Sequence, residues 1–228
     1  ARGDAYTWRM GEPTPGIAVR DVAPEERERF LDVHLAGFNQ RVTPEERARE
    51  LASLEDPTYR LFAAYLDGEL IATALDFASE LTLPDGGAGP MLCLTWVAVL
   101  PTHRRRGALG ALLADHHARA RGREVPVSGL YATGSAIYGR HGYGVATEDA
   151  ALRIETAHAR LVRGGSTPVR IVEAGAARAE IDAAWERARH LRAGGIARPA
   201  AETSFLLAEH KGFAALAGPD GTDGYALY

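Results

Sequence analysis

Three consecutive arginines and a glycine, Arg104 to Gly107, lie between a long apolar segment and a segment with helical periodicity. The apolar segment, Met91 to Leu100, is typical of a strand that is buried on both faces. Backbone amides at a helix N-terminus have no intrahelical partner and carry a partial positive charge. A diphosphate placed there accepts several of these N–H groups, and arginine adds charge and planar donors. The pattern therefore indicates a loop that binds a pyrophosphate.

Other uses of this loop fit the sequence less well. The chain contains no Gly-x4-Gly-Lys-Ser/Thr motif, and no Gly-x-Gly-x-x-Gly follows a strand. The alternatives are a solvated surface loop or a nucleic-acid contact. The formal net charge of −4 and the lack of exposed aromatic residues among the arginines count against nucleic acid. We therefore expect no nucleic-acid partner.

A second candidate for chemistry is Tyr138, in the segment Ile-Tyr-Gly-Arg-His-Gly-Tyr-Gly. A tyrosine stays protonated at neutral pH, so it can protonate a leaving group within hydrogen-bond reach. The alternative is an aromatic side chain that only packs a short helix. Tyr143 in the same segment is interpreted as structural, packing the turn. His116 lies on the apolar stripe of a helix and is interpreted as a packed histidine rather than a catalyst.

Hydrophobic periodicity and turn residues predict the elements that must position these groups. Before the arginine loop, we expect a strand at 17–20, helices from Pro24 to about Phe38 and from Thr43, hairpin strands at 61–66 and 70–77 around Asp67-Gly68, and strands at 81–83 and 91–100. After the loop, we expect a helix at 107–121, a strand at 127–131, a short helix at about 136–140, and strands at 143–146 and 151–154.

The segment 160–168 resembles a linker, and the order of elements restarts beyond it. A strand at 169–172, helices at 176–191 and 200–209, and strands at 213–216 and 225–228 repeat the opening of the chain. We therefore expect an α/β protein with a mixed sheet and helices on both faces. Its first domain comprises residues 1–160, and residues 161–228 begin a second domain of similar topology that looks incomplete.

Composition limits the class of protein. Of the 228 residues, 46% are hydrophobic and 25% are charged, which is ordinary for a soluble globular protein. The single cysteine, Cys93, lies in an apolar run and indicates a buried thiol in a reduced cytoplasm. No apolar stretch approaches the roughly 18 residues of a membrane span, and no signal peptide is visible. A cytoplasmic protein without a membrane partner is therefore expected.

The arginine loop resembles a known signature. Arg104-x-x-Gly107-x-Leu109 is similar to the acyl-CoA-binding motif Arg/Gln-x-x-Gly-x-Gly/Ala of the GNAT superfamily of N-acetyltransferases, from which it departs at Leu109. Together with the segments 101–107 and 137–144, it resembles the enhanced intracellular survival (Eis) family of aminoglycoside acetyltransferases. The segment 223–228 is similar to part of that family's second domain.

This resemblance implies a GNAT fold, acetyl-CoA as the acetyl donor and no metal. It places the donor contacts on the backbone of Val97, Ala98 and Val99, on the pyrophosphate loop of Arg105, Arg106, Gly107, Ala108, Leu109 and Gly110, and on Thr133 and Gly134. The family has Ser-Glu at the last two positions, so this contact departs from its pattern. The resemblance also implies that Tyr138 is the general acid and that Trp96 lies beside the acceptor pocket.

The expected reaction is direct transfer of an acetyl group, within a ternary complex, to a primary amine of a small molecule such as an aminoglycoside. The family's base is the carboxylate at the C-terminus of a third domain, which this sequence does not reach, so no base is assigned. The resemblance suggests a hexamer. The alternative is a non-catalytic module with the same fold that binds CoA or a partner.

Overall fold

The computed structural model describes residues 15–147, 165–209 and 212–228, together with the isolated residues 155, 157 and 160. The chain divides into two units. The first contains the described residues up to Ser79 with Pro90–Gly144, and the second contains Glu80–Gly89 with the described residues from Val145 onward. None of the described helices is long and apolar enough to cross a bilayer.

The first unit is built on a five-stranded sheet, and the prediction that the sheet is mixed is confirmed. Antiparallel pairing joins the first three strands, and the last two strands are parallel. The predicted hairpin turn is present, since Asp67 and Gly68 both have positive φ values of 51° and 83°. The strands lie side by side in the order β1 (Ile17–Asp21), β2 (Tyr59–Leu66), β3 (Glu69–Thr82), β4 (Ala88–Val99) and β5 (Val127–Leu130).

Helices cover both faces of this sheet because successive residues of β2 point to opposite sides. Phe62 and Ala64 belong to one buried cluster with residues of α3 (Ala108–Gly122). Leu61, Ala63 and Tyr65 belong to a second cluster with residues of α1 (Arg27–Phe38). The sheet therefore has two cores, and the prediction of helices on both faces is confirmed.

The predicted start of α2 (Pro44–Ser53) is confirmed in its atomic detail. The hydroxyl of Thr43 accepts a hydrogen bond from the backbone N–H of Glu46 at 3.2 Å. The Glu46 carboxylate in turn accepts from the backbone N–H of Thr43 at 2.8 Å. This reciprocal pair is a capping box, so local side chains determine where the helix begins.

Some of the predicted elements differ from the structure. The strand expected at 81–83 is the distal end of β3. The short helix expected at 136–140 is replaced by two 3₁₀ turns, Ser135–Ile137 and Gly139–His141, in a segment whose glycines disfavour a regular helix. Residues 143–146, predicted as a strand, are irregular after Gly142, which has a φ of 90°. The strand predicted at 151–154 lies outside the described residues.

The second unit contains a three-stranded antiparallel sheet, whose strands lie side by side in chain order. Two helices lie in sequence between its first and second strands, as α1 and α2 lie between β1 and β2. The tip of the β3–β4 hairpin belongs to this unit, where Thr82 N–H donates to the carbonyl of Gly195 at 2.7 Å. The elements are β6 (Val169–Glu173), α4 (Arg178–Arg189), α5 (Ala200–Glu209), β7 (Phe213–Ala217) and β8 (Gly224–Leu227). The domain boundary at residue 160 stays a prediction.

A glycine permits the close approach of α1 to β4. A Cβ atom added at Gly37 would lie 2.7 Å from the Cβ of Ala98 and 3.4 Å from the backbone nitrogen of Val99. The first distance is well inside ordinary van der Waals contact, so any side chain here would push the helix from the strand. Arg104 reinforces the contact, because its guanidinium donates to the Gly37 carbonyl at 2.9 Å.

Replacing Gly37 with alanine should therefore destabilise the protein. Alanine is the better helix former by about 0.5–1 kcal/mol, but overpacking against Ala98 should outweigh this and cost about 1–3 kcal/mol. Urea unfolding measures the difference. The matched control is Gly122→Ala at the end of α3, where an added Cβ meets nothing within 4 Å and no loss is expected. A Gly37→Ala protein as stable as the parent would contradict the tight contact.

Candidate functional site

The parallel pairing of β4 and β5 ends before β4 does. Met91 is opposite Val127, and the last pair is Leu94 with Leu130. Strand β4 then continues to Val99, so within the described residues its last five positions have no partner on the β5 side. Backbone groups along this stretch can pair with an extended ligand that enters the fork between the strands. The predicted donor contacts at 97–99 lie on this stretch.

The strand is distorted at Trp96, just inside the fork. Trp96 has a φ of 55°, a left-handed conformation that costs a non-glycine residue about 1–2 kcal/mol and is typical of a β-bulge. Its carbonyl accepts a hydrogen bond from the Thr73 hydroxyl at 2.9 Å. Its indole stacks on the imidazole of His34, with ring centroids 4.2 Å apart. Contacts on the backbone and on the side chain thus hold the distortion in place.

His34, on α1, has no counterpart among the sequence predictions. Burial lowers the pKa of His34 to about 4, and the backbone of Trp96 offsets this only in part. The imidazole is therefore neutral near pH 7, next to the residue predicted to line the acceptor pocket. His34 is four residues from both Phe30 and Phe38, so it lies on the same face of α1 as these two aromatic side chains. This spacing is the sequence signal that could have identified His34.

The loop after β4 presents a helix N-terminus, as the arginine pattern predicts. Gly107 has a φ of 86° and precedes the first turn of α3. The first intrahelical hydrogen bond runs from the amide of Ala111 to the carbonyl of Gly107. The amides of Ala108, Leu109 and Gly110 therefore have no partner within the helix and are available to an anion.

The three arginines of the loop have different surroundings. Arg104 is bound to the end of α1 through Gly37 and so anchors the loop. Arg105 and Arg106 are exposed and make no ion pair within the described part of the chain. Both line an open cleft of about 460 Å³, whose other walls are Gly107, Pro15, Ile17 and Leu66. The cleft combines free positive charge with an apolar wall, which suits an anion that carries a flat apolar group.

Tyr138 lies at the junction of the two 3₁₀ turns and is 8% exposed. It belongs to the same buried cluster as Leu94, at the fork, and Ala108, at the start of α3. Burial raises the pKa of Tyr138, so the phenol is neutral at physiological pH. Within the described residues its hydroxyl makes no hydrogen bond. The phenol is therefore a hydrogen-bond donor without a partner among the described residues.

The structure brings most of the predicted site residues together, but the contribution of two remains open. The strand residues 97–99, the loop residues 105–110 and Tyr138 all lie around the fork and the start of α3. Thr133 and Gly134 are exposed in the segment that follows β5, and no contact between them and the loop is described. Their role in binding stays a prediction.

A buried polar chain behind Tyr138 was missed by the sequence predictions. It includes His116 and Tyr143, which were interpreted as packing residues, and it also includes Asp76 and Ser128. Two residues could have indicated the chain from the sequence: His116 on the apolar face of a helix and Ser128 in a short strand. Buried polar side chains require hydrogen-bond partners, so both residues could have been expected to have one.

Comparison with known proteins places this geometry in a family. Residues 18–146 match the family model of the acetyltransferase (GNAT) domain. The chain is 38% identical over 175 residues to the N-acetyltransferase Eis of Mycobacterium tuberculosis strain H37Ra, a match that covers 70% of this chain and 42% of the relative.

Solved structures agree with this match. Eis1 from Mycobacterium abscessus is similar with a TM-score of 0.73 at 30% identity, over 92% of this chain and 52% of that one. A probable N-acyltransferase from Enterococcus faecalis V583 has a TM-score of 0.74 at 19% identity, over 93% of this chain and 55% of that one, which supports the fold alone. The chain thus spans about half the length of these proteins. It belongs to the GNAT family of acetyltransferases and is similar to its Eis members.

Proposed function

We propose that this chain is an acetyl-CoA-dependent N-acetyltransferase that transfers an acetyl group to a primary amine of a small molecule. The observation that carries the proposal is the open fork beside Val97–Val99, next to a helix N-terminus with free amides and two free arginines. Members of the GNAT family use acetyl-CoA, and these features match its extended, anionic shape.

The donor's pyrophosphate is proposed to bind the amides at the start of α3. The positive φ of Gly107 turns the chain so that these amides face outward, and Arg105 and Arg106 neutralise the charge of the phosphates. The cleft of about 460 Å³ beside them has room for part of the nucleotide. The pantetheine is proposed to pair with the backbone of β4 within the fork, with Thr133 and Gly134 as a further contact.

The acceptor is proposed to approach from the side of Trp96, where α1 meets the distorted part of β4. An amine with a free lone pair attacks the thioester carbonyl in a ternary complex, so that a C–N bond forms and the C–S bond breaks. Tyr138 donates its phenolic proton to the departing sulfur, and the amine gives up a proton to a base that is not assigned. A polyamine-like acceptor such as an aminoglycoside is proposed from the resemblance of the segments 101–107 and 137–144 to the Eis family.

Further parts of the interpretation stay predictions. The hexamer rests on the family resemblance, and the cytoplasmic location rests on the sequence. The alternative function, a non-catalytic module that binds CoA or a partner, predicts the same donor site without turnover. Binding and turnover must therefore be measured separately.

Gly107→Glu tests the donor site. Acetyl-CoA should raise the melting temperature of the parent protein, and a carboxylate at the proposed pyrophosphate site should abolish that rise by repulsion and by blocking the amides. Gly68→Glu is the matched control, because Gly68 also has a φ near that of Gly107, 83° against 86°, and lies in the β2–β3 turn. Gly68→Glu should also lose stability, because glutamate is strained at a positive φ. Its melting temperature should still rise when acetyl-CoA is added. An undiminished response in Gly107→Glu would remove the pyrophosphate from this loop.

Tyr138→Phe separates an enzyme from a binding module. The phenylalanine keeps the ring packing and removes only the proton donor, so acetyl-CoA affinity should stay nearly unchanged. Turnover, measured as thiol release with a panel of amines that includes aminoglycosides, should fall by about 10²–10⁴-fold.

Tyr65→Phe is the control for this experiment, since it removes a tyrosine hydroxyl that donates to Glu26 at 3.1 Å and that has no proposed role in binding or transfer. Its turnover should match the parent. Unchanged turnover in Tyr138→Phe would exclude Tyr138 as the acid. A parent protein that binds acetyl-CoA but acetylates no amine would favour the binding module.

A further inference from the structure

Four side chains from three elements and one turn form a continuous hydrogen-bonded chain inside the first unit. Asp76 on β3 and His116 on α3 are 1% and 0% exposed. The Nδ1 atom of His116 lies 3.3 Å from Oδ2 of Asp76, and its Nε2 atom lies 2.7 Å from Oγ of Ser128 on β5. Oγ of Ser128 lies 2.7 Å from the hydroxyl oxygen of Tyr143. The buried carboxylate is thereby connected to the Tyr138 segment.

Two cations surround the inner end of the chain. Arg60 Nη1 and Arg119 Nε each lie 3.4 Å from the oxygens of Asp76. The two ring nitrogens of His116 join this carboxylate to the Ser128 hydroxyl, and Ser128 shares the next hydrogen bond with Tyr143. Each of the four side chains is thus held at its polar end by a neighbour in the chain.

His117 lies at the outer end of the chain. Nε2 of His117 lies 3.1 Å from the hydroxyl oxygen of Tyr143. Burial, with smaller contributions from neighbouring basic groups, lowers the pKa of His117 to about 4, so its ring is neutral at physiological pH. Burial also raises the pKa of Tyr143 to about 12. The neutral Tyr143 hydroxyl is thus held between Ser128 and His117.

Tyr143 contacts Tyr138 directly. Their rings meet edge to face, with centroids 5.8 Å apart and an interplanar angle of 74°. The backbone N–H of Tyr143 also donates to the Tyr138 carbonyl at 3.4 Å. Since the two 3₁₀ turns supply little regular backbone structure, the ring of Tyr143 is a principal support for the ring of Tyr138.

We propose that Tyr143 is the positioning residue for Tyr138, and that Ser128, His116 and Asp76 hold Tyr143 in place through its hydroxyl. The proposal rests on the proposed function only in so far as Tyr138 is the acid. Loss of the Tyr143 hydroxyl releases the ring from β5 and allows Tyr138 to shift relative to the fork. A shift of about 1 Å in a reacting group can cost about 10²-fold in rate.

The test compares Tyr143→Phe and Ser128→Ala with the control Tyr65→Phe. Both chain variants should lower kcat by about 10-fold to 10²-fold and leave KM for acetyl-CoA within about twofold, because the donor contacts lie elsewhere. Placed in a Tyr138→Phe background, Tyr143→Phe should cause no further loss, since it acts through Tyr138. A further loss of the same size in that background would overturn the proposal.

The position of the Tyr138 ring can also be followed by NMR, without an activity assay. With ¹³C-labelled tyrosine, the ring signal of Tyr138 is identified by its absence in Tyr138→Phe. This signal should shift or broaden in Tyr143→Phe and in Ser128→Ala. It should stay unchanged in the two controls, Tyr65→Phe and Thr203→Val. The second control removes a buried hydroxyl of the second unit, which donates to Asp182 at 2.6 Å. An unchanged Tyr138 signal in Tyr143→Phe would overturn the proposal even if Ser128→Ala fails to fold. If the signal moves while Tyr138→Phe keeps full turnover, the positioning stands and the acid role fails.

Discussion

The parallel pairing between β4 and β5 stops at Leu94 and Leu130, and the features of the candidate site follow from that limit. A strand in the middle of a sheet normally satisfies its backbone on both sides. Beyond Leu94, β4 keeps its neighbour β3 but has no partner on the other side within the described residues. The segment of β4 beyond Leu94 therefore needs other contacts to fix its conformation, because it lacks the hydrogen bonds that a neighbouring strand would supply.

Those other contacts come from α1. Gly37 allows the helix to approach the backbone of β4 at Ala98, and the stacked rings of His34 and Trp96 hold the distorted residue beside it. Arg104 ties the loop to the end of the same helix. One arginine of the triplet is thus used for structure, which leaves Arg105 and Arg106 free for an anion. Helix α1 thus contacts the strand, the distortion and the loop, and the Thr73 hydroxyl of β3 adds a hold on the backbone of Trp96.

Features that depend on neighbouring residues could be predicted from the sequence. Asp67-Gly68 determines a hairpin turn, Thr43 and Glu46 determine a helix start, and the arginine loop lies between elements whose periodicity is plain. The family resemblance of the loop was confirmed by the match over residues 18–146. The different contacts of the three arginines could not be predicted, because Arg104 donates to the carbonyl of Gly37, which is 67 residues away in the sequence. Asp76 and His116, 40 residues apart, are linked in the same non-local way.

The turn that carries Tyr138 illustrates the limit most clearly. A short helix was expected at about 136–140, but the glycines of this segment leave two 3₁₀ turns instead. These turns need support from neighbouring side chains. Two tyrosines five residues apart then acquire different properties from their surroundings. The Tyr143 hydroxyl joins a hydrogen-bonded chain that ends on a buried carboxylate, whereas the hydroxyl of Tyr138 makes no hydrogen bond within the described residues. Because identical side chains differ here only in what they contact, packing rather than residue type separates the anchored tyrosine, Tyr143, from Tyr138, whose hydroxyl has no partner within the described residues.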